Sequence, residues 1–235
     1  MIPRGEHVDG TGTLPDIVKA GLDVLFCGIN PGQAAAKAGH HFQGNGNRFW
    51  KTLHDAGFTP GQLTAVDDAR LPEFGYGLTA VVPRASRSAD EVTGPELLQG
   101  LRDLEAKVRR WKPRVVAFLG KAAWTVHTGS TQVTWGRQGL AFGGAEVWVL
   151  PNPSGLNRHF SLAELVRAYR ELREYVGAAE GISRSMQAPP EKWSEAERPM
   201  WLSRSLPSAR CVASHRSGEE NFVRDVETGS RRSTE

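Results

Sequence analysis

The stretch Leu25-Phe26-Cys27-Gly28-Ile29-Asn30-Pro31-Gly32 ends an apolar run on an amide side chain locked by a proline and a glycine. An asparagine there can accept a hydrogen bond from a water molecule and aim it, yet it cannot take up a proton as a carboxylate does. By itself Asn30-Pro31 is also an ordinary loop dipeptide. Two further stretches change the balance. Gly39-His40-His41-Phe42 begins a segment, GHHFQGNGN, too polar and glycine-rich for a core, so Phe42 reads as a flat surface in a pocket. Asn152-Pro153-Ser154-Gly155-Leu156-Asn157-Arg158 follows another apolar run and repeats the Asn-Pro entry. The three stretches together read as parts of one site. A fourth loop, Pro83 to Glu91, contains Asp90. This carboxylate either activates water or stabilises positive charge, or is a surface acid before the helix capped at Thr93, where acids are favoured anyway. The two readings stand level. His40 and His41 are expected to face solvent, and no metal is assigned.

The elements that must carry these loops follow from the apolar pattern. Val24–Ile29, Gly77–Val82, Val115–Leu119 and Val147–Leu150 are short, nearly continuous apolar runs, as in a parallel sheet covered on both faces. Helical patterns lie between them: Asn47–Ala56, Pro95–Trp111 with a Thr93…Glu96 capping box, Lys121–His127, and 162–176 with Ser161 and Glu164 at its start. The second carries Leu97, Leu98, Leu101, Leu104 and Val108, and Phe160 and Leu165 are placed as a hydrophobic staple for the last. The pattern predicts a doubly wound, three-layer α/β/α sandwich around a short, mostly parallel central sheet. Ligands bind at the carboxyl ends of such strands, so Asn30 and Asn152 are expected to share one crevice.

The expected organisation is an N-terminal extension with a first helix over 1–22, a catalytic domain over 23–177, and a partly ordered tail over 178–235. Trp193 and Trp201 are expected to pack part of that tail onto the core. The net charge of +3 sits in the first part: residues 1–177 hold 20 Lys+Arg and 17 Asp+Glu, whereas residues 178–235 hold nine of each. That excess permits a polyanionic partner without demanding one. Two cysteines, Cys27 and Cys211, neither frame a disulfide scaffold nor ligate an iron–sulfur cluster. No run is long enough for a bilayer span and the N-terminus lacks a signal-peptide core, so a cytoplasmic protein without membrane partners is expected. There is no G-x-G-x-x-G after the first strand and no P-loop lysine motif, which weighs against a nucleotide-binding dehydrogenase or hydrolase.

Taken together, GINPG, NRFW and WVLPNPSGL, in that order, resemble the mismatch-specific uracil-DNA glycosylase and thymine-DNA glycosylase family of the uracil-DNA glycosylase superfamily. The likeness runs from about Val24 to Val176. It implies a monomeric, cofactor-free and monofunctional enzyme that initiates base excision repair, nucleoid-associated if bacterial. Such an enzyme flips uracil out of double-stranded DNA with G:U or G:T mispairs, ethenocytosine being a further target, and hydrolyses its glycosidic bond. By the same resemblance Asn30 orients the water, Phe42 stacks on the flipped base, and amides near Ile29 and Phe42 read its edge. Ala35 leaves room beside carbon 5. Asn152 stands where the fastest superfamily members carry a histidine. Leu156 fills the gap in the duplex, and Gly155, Asn157 and Arg158 meet the widowed guanine or a phosphate, although relatives often have Ser at the place of Asn157 and an uncharged residue at that of Asp90. Arg84, Arg87, Lys121 and Arg137 are candidate phosphate contacts, charges of a kind usually only solvated. A catalytically weak or inactive DNA-binding member of the same fold is the alternative.

Overall fold

The computed structural model describes residues 13–186. Its strands are β1 Val24–Gly28, β2 Tyr76–Ala80, β3 Val115–Leu119, β4 Gly136–Arg137 and β5 Glu146–Leu150. They form one sheet in the order β2-β1-β3-β5-β4, parallel except for β4, which runs antiparallel along β5. The helices are α1 Gln33–Ala38, α2 Phe49–Asp55, α3 Gly94–Trp111, α4 Ala122–Thr128 and α5 Leu162–Met186, with a 3₁₀ segment at Ala65–Phe74.

Because successive side chains of a strand point to opposite faces, each apolar run feeds two cores. Val24, Phe26, Val115, Ala117, Trp148 and Leu150 bury against Phe49 and Leu53 of α2, Leu71 of the 3₁₀ segment, and Tyr169, Leu172 and Val176 of α5. Leu25, Cys27, Val116, Phe118, Val147 and Val149 bury against Leu97, Leu101, Leu104 and Val108 of α3 and Trp124 of α4. Each such aliphatic side chain contributes about 1.5–3 kcal/mol relative to exposure. The result is the expected three-layer α/β/α sandwich. Both capping boxes form: Thr93 with Glu96, and Ser161 with Glu164. Leu98 departs from the predicted stripe and is exposed, because a residue next to Leu97 lies about 100° further round the helix.

Other differences are instructive. A first helix is expected within residues 1–22; of these, the described residues 13–22 contain none. Ile17 instead exchanges two 2.9 Å hydrogen bonds with Leu78 of β2, and Thr13 bridges Arg84. β2 is an outer strand, and an uncovered edge leaves unpaired N–H and C=O groups, so an extended segment is the better partner. α5 continues past residue 176 to Met186, across the expected boundary at 177. The short α1, the 3₁₀ segment and the two-residue β4 have too few periodic apolar positions to be read from sequence. Residues 1–12 and 187–235, including Trp193, Trp201 and Cys211, lie outside the described residues.

α3 approaches the end of β2 at Gly100, where an added Cβ would stand 2.3 Å from the Val81 carbonyl oxygen and 3.0 Å from its carbon. Gly→Ala within a helix normally stabilises by about 0.5–1 kcal/mol. Here the neighbour is backbone, so Gly100→Ala is expected to destabilise, by about 1–3 kcal/mol, in urea unfolding followed by circular dichroism. An increase in stability would contradict this contact.

Candidate active site

The strand order reverses between β1 and β3, and the loops leaving the carboxyl ends of β1, β2, β3 and β5 meet there. Hydrogen bonding continues beyond β1 and β2: Val81 N–H donates to Gly28 (3.0 Å), Val82 N–H to Ile29 (2.8 Å) and Ser86 N–H to Pro31 (3.1 Å), while Gln33 N–H returns to Ser86 (3.2 Å). Asn30 is held by this zipper. Its Nδ2 lies 2.7 Å from Ser86 Oγ, 3.1 Å from the Arg84 carbonyl and 3.3 Å from the Pro31 carbonyl. Carbonyls only accept, so the amide must present its NH₂ to them. The Ser86 hydroxyl donates to the Ser88 carbonyl at 2.5 Å and is left as an acceptor for Asn30. Asn30 Oδ1 has no hydrogen-bond partner among the described residues, and Asn30 borders a cavity.

Arg84 is an anchor for this loop. Its guanidinium grips Glu96 through Nε (2.6 Å) and Nη2 (3.0 Å), and Nη2 also donates to the Glu91 carbonyl (2.9 Å). Hydrogen bonds from Arg84, then from the Thr93 backbone and hydroxyl, hold the Glu96 carboxyl at about 2. The clasp therefore persists above the usual glutamate range and loosens as pH falls towards that value. Arg137 is likewise engaged, with Glu146 at 2.8 Å and over the Tyr175 ring, and Lys121 lies over Trp135 at 4.7 Å. Three of the four candidate phosphate contacts, Arg84, Lys121 and Arg137, are thus already paired within the protein.

The second wall is the loop from Gly39 to Asn47. His41 is buried, donates its N–H to Asp68 Oδ2 (3.0 Å) and places Nε2 2.8 Å from the Pro15 carbonyl, while His40 Nδ1 lies 3.3 Å from Asp68 Oδ1. The expectation of two solvent-facing histidines is thus corrected: Asp68, itself buried in the 3₁₀ segment, draws both towards it. Burial pushes the His41 imidazole below its usual range, and the Pro15 carbonyl fixes the proton on Nε2. Trp50 Nε1 donates to the His41 carbonyl at 3.3 Å. Phe42, so fastened, has φ 57°, a left-handed conformation that an aromatic residue keeps only when its surroundings impose it. Its ring stacks on Phe49, centroids 3.9 Å apart and planes within 16°. Gly28 lies across from it, where an added Cβ would come 4.0 Å from Phe42 Cζ. The N–H groups of Ile29 and Phe42 carry no hydrogen bond among the described residues.

The third wall follows β5. Tyr169, from the core, donates to the Pro151 carbonyl (3.3 Å). Asn152 Oδ1 accepts from Ser154 N–H (2.9 Å), leaving its Nδ2 unspent, and Asn157 Nδ2 donates to the Asn152 carbonyl (2.8 Å). Leu156 stands at the tip, 74% exposed. Arg158 is exposed with no recorded partner among the described residues. The main-chain N–H of Asn157 is already used on Ser154 (3.0 Å) and its carbonyl accepts from Arg48 (2.7 Å), so its N–H is not free to donate to a ligand in this conformation. Gly155 is pressed against Gly46, whose carbonyl oxygen an added Cβ would meet at 2.7 Å.

Ile29, Asn30, Ala35, Phe42, Asn152 and Leu156 border one cavity of about 150 Å³. Sites for drug-sized ligands run about 300–1,000 Å³, so this one suits a single small planar group. Residues 86–89, from the loop after β2 expected to face the crevice, also border it, as do Leu14, His41, Gln43 and Asn47, which had no assigned role. Ser86 carries no sequence signal beyond its place in the loop after β2. Asp90, Gly155, Asn157 and Arg158 do not border the cavity. Asp90 is exposed, its carboxylate accepting from Ser88 Oγ (3.1 Å) within its own turn. No group of three or more His, Cys, Asp or Glu among the described residues is placed to hold a metal ion.

Fold and site thus define a doubly wound α/β protein with a base-sized recess at the switch point of its sheet. The uracil DNA glycosylase superfamily model matches residues 15–173, and the chain belongs to that superfamily. Among solved structures it is similar to the solution NMR structure of a candidate uracil DNA glycosylase from Methanosarcina acetivorans. The two are 22% identical over 68% of this chain and 97% of that one, with a TM-score of 0.49.

Ser86→Ala removes two hydrogen bonds, one from Asn30 and one to Ser88. At about 0.5–1.5 kcal/mol each, the expected loss in urea unfolding is about 1–3 kcal/mol. The Asn30 side-chain NH₂ should exchange faster with solvent in NMR spectra. Unchanged exchange would mean that Ser86 does not hold the amide.

Proposed function

We propose that this protein is a monofunctional DNA glycosylase that flips uracil mispaired with guanine out of double-stranded DNA and hydrolyses its N-glycosidic bond. The observation that carries this reading is Asn30. Its NH₂ is consumed by the loop after β2, which leaves Oδ1 to accept from one water at the cavity edge. That water's oxygen forms a bond to C1′ as the C1′–N1 bond breaks. The bonding pair leaves on the base, the sugar gains a hydroxyl, and the water's second proton passes to solvent or the departing base, since the amide cannot keep it. General-base assistance is typically worth about 10²–10⁴ in rate, so a slow enzyme is expected.

The remaining contacts fall into place around this step. The Phe42 ring, backed by Phe49, receives the face of the base, a stacking contact worth roughly 1–3 kcal/mol. The N–H groups of Ile29 and Phe42 and the unspent Nδ2 of Asn152 supply donors for carbonyl oxygens and for the charge that builds on the leaving base. Leu156, apolar, exposed and at a loop tip, is suited to fill the vacated position in the duplex. Gly155 and Arg158 remain for the opposite strand. No lysine borders the cavity among the described residues, which favours attack by water over a Schiff base. Asp90 follows the lining residues 86–89 without bordering the cavity itself, so a through-space effect on the sugar is its remaining catalytic role.

A panel of single- and double-stranded oligonucleotides carrying uracil, thymine or ethenocytosine opposite guanine tests the reading. Free uracil is expected from the G·U duplex, with Asn30→Ala slowing single-turnover release by about 10²-fold or more. Duplex binding without base release would favour the inactive DNA-binding alternative. Ala35 is buried against the cavity, so its methyl leaves room for a 5-methyl group. Thymine opposite guanine should then be a poorer but accepted substrate. Ala35→Leu should depress G·T excision about tenfold more than G·U excision, and an equal loss on both would remove Ala35 from specificity.

A further inference from the structure

Arg48 has no role in the chemistry above, yet its side chain makes three hydrogen bonds at the site, as many as Asn30. It stands at the N-cap of α2, and its guanidinium reaches the loop that carries Leu156. Nη1 donates to the Phe160 carbonyl at 2.6 Å, and Nη2 to the carbonyls of Asn157 at 2.7 Å and Ser154 at 3.1 Å. Its own N–H donates to the Pro153 carbonyl at 3.0 Å. One residue therefore holds carbonyls on both sides of Leu156. The rigid fork of donors on a guanidinium can span several carbonyls at once, which a lysine ammonium cannot reproduce.

The placement is costly. A cation at a helix N-terminus lies at the disfavoured end of the helix dipole, and Arg48 Nε is buried without a partner. No carboxylate accounts for it, since every recorded acceptor is a main-chain carbonyl. Leu156, by contrast, has one hydrogen bond among the described residues, from its own N–H to Ser154 Oγ (3.3 Å). Its position therefore depends on how the rest of the loop is held. The residue after Arg48 is Phe49, the ring behind Phe42. Two adjacent side chains thus support the two working surfaces of the cleft.

We propose that Arg48 is a positioning residue that fixes Leu156 at a set offset from the Phe42 ring, so that the group entering the duplex and the surface receiving the base act as one rigid unit. The proposal rests on the glycosylase reading. When the guanidinium is lost, the loop keeps its turn but loses its register against α2. A misplacement of about 1 Å can slow a reaction on the order of 10²-fold.

The test is a double-mutant cycle on single-turnover uracil release from a G·U duplex, comparing wild type, Arg48→Met, Leu156→Ala and the double variant, with the melting temperature of each. Arg48→Lys enters the same cycle as a second variant that keeps charge and length. In parallel, 2-aminopurine placed beside the uracil reports duplex opening in an Asn30→Ala background, with and without Arg48→Met. Arg48→Met is expected to be folded at the assay temperature and slower by about 10²-fold. The double variant should be no slower than the slower single, because both act on one step, and 2-aminopurine fluorescence should fall. Additive losses, unchanged fluorescence, or a rate equal to wild type would overturn the proposal. So would failure of both Arg48 variants to fold, which would make the residue a fold determinant. If wild type releases no uracil from any substrate the glycosylase reading itself falls, and this inference with it; active wild type with additive losses indicts Arg48 alone.

Discussion

One constraint organises the site: the NH₂ of Asn30 is committed to the loop after β2. Three acceptors surround that nitrogen, two of them carbonyls that tolerate no other orientation of the amide. The sheet supplies this arrangement by extending its hydrogen bonding past the ends of β1 and β2, so that residues 81–86 run beside residues 28–33. With its nitrogen so committed, the amide presents one oxygen in one direction at the cavity edge. Everything else around the cavity is arranged relative to that oxygen.

The second organising feature is rigidity obtained from outside the cleft. The Phe42 backbone is held in a sparsely populated conformation by contacts on either side: His41 fastened to Asp68 and Pro15, and Phe49 and Trp50 from α2. Strain of this kind costs about 1–3 kcal/mol and persists only where neighbours impose it. The loop after β5 is secured by Tyr169 at its base and by Arg48 along its length. Preorganisation of this kind lowers the entropy lost when a ligand enters.

Much of this was legible from residues alone. Four apolar runs, two of them followed by Asn-Pro turns, place Asn30 and Asn152 at strand ends, and the rule that parallel sheets bind ligands there brings them together. Phe42 was recognisable because its neighbours were too polar to bury it. What escaped were partnerships between segments remote in sequence. His41 looked solvated because nothing nearby in the chain hints at Asp68, 27 residues on. Arg84 reads as a candidate phosphate contact and Glu96 as part of a capping box, whereas the two are clasped together. Arg48 belonged to a quoted motif and still went unassigned, since its acceptors are backbone carbonyls more than a hundred residues away, and carbonyls leave no trace in composition.

The stretch before β1 joins two tasks that are usually separate. Leu14 borders the recess, the Pro15 carbonyl fixes the proton on His41, and Ile17 closes the outer edge of β2. Shortening the protein at its start to obtain a more compact version would therefore be no neutral trim. It would strip a pocket wall and at the same time bare a row of main-chain donors and acceptors, inviting another copy to add itself as a strand.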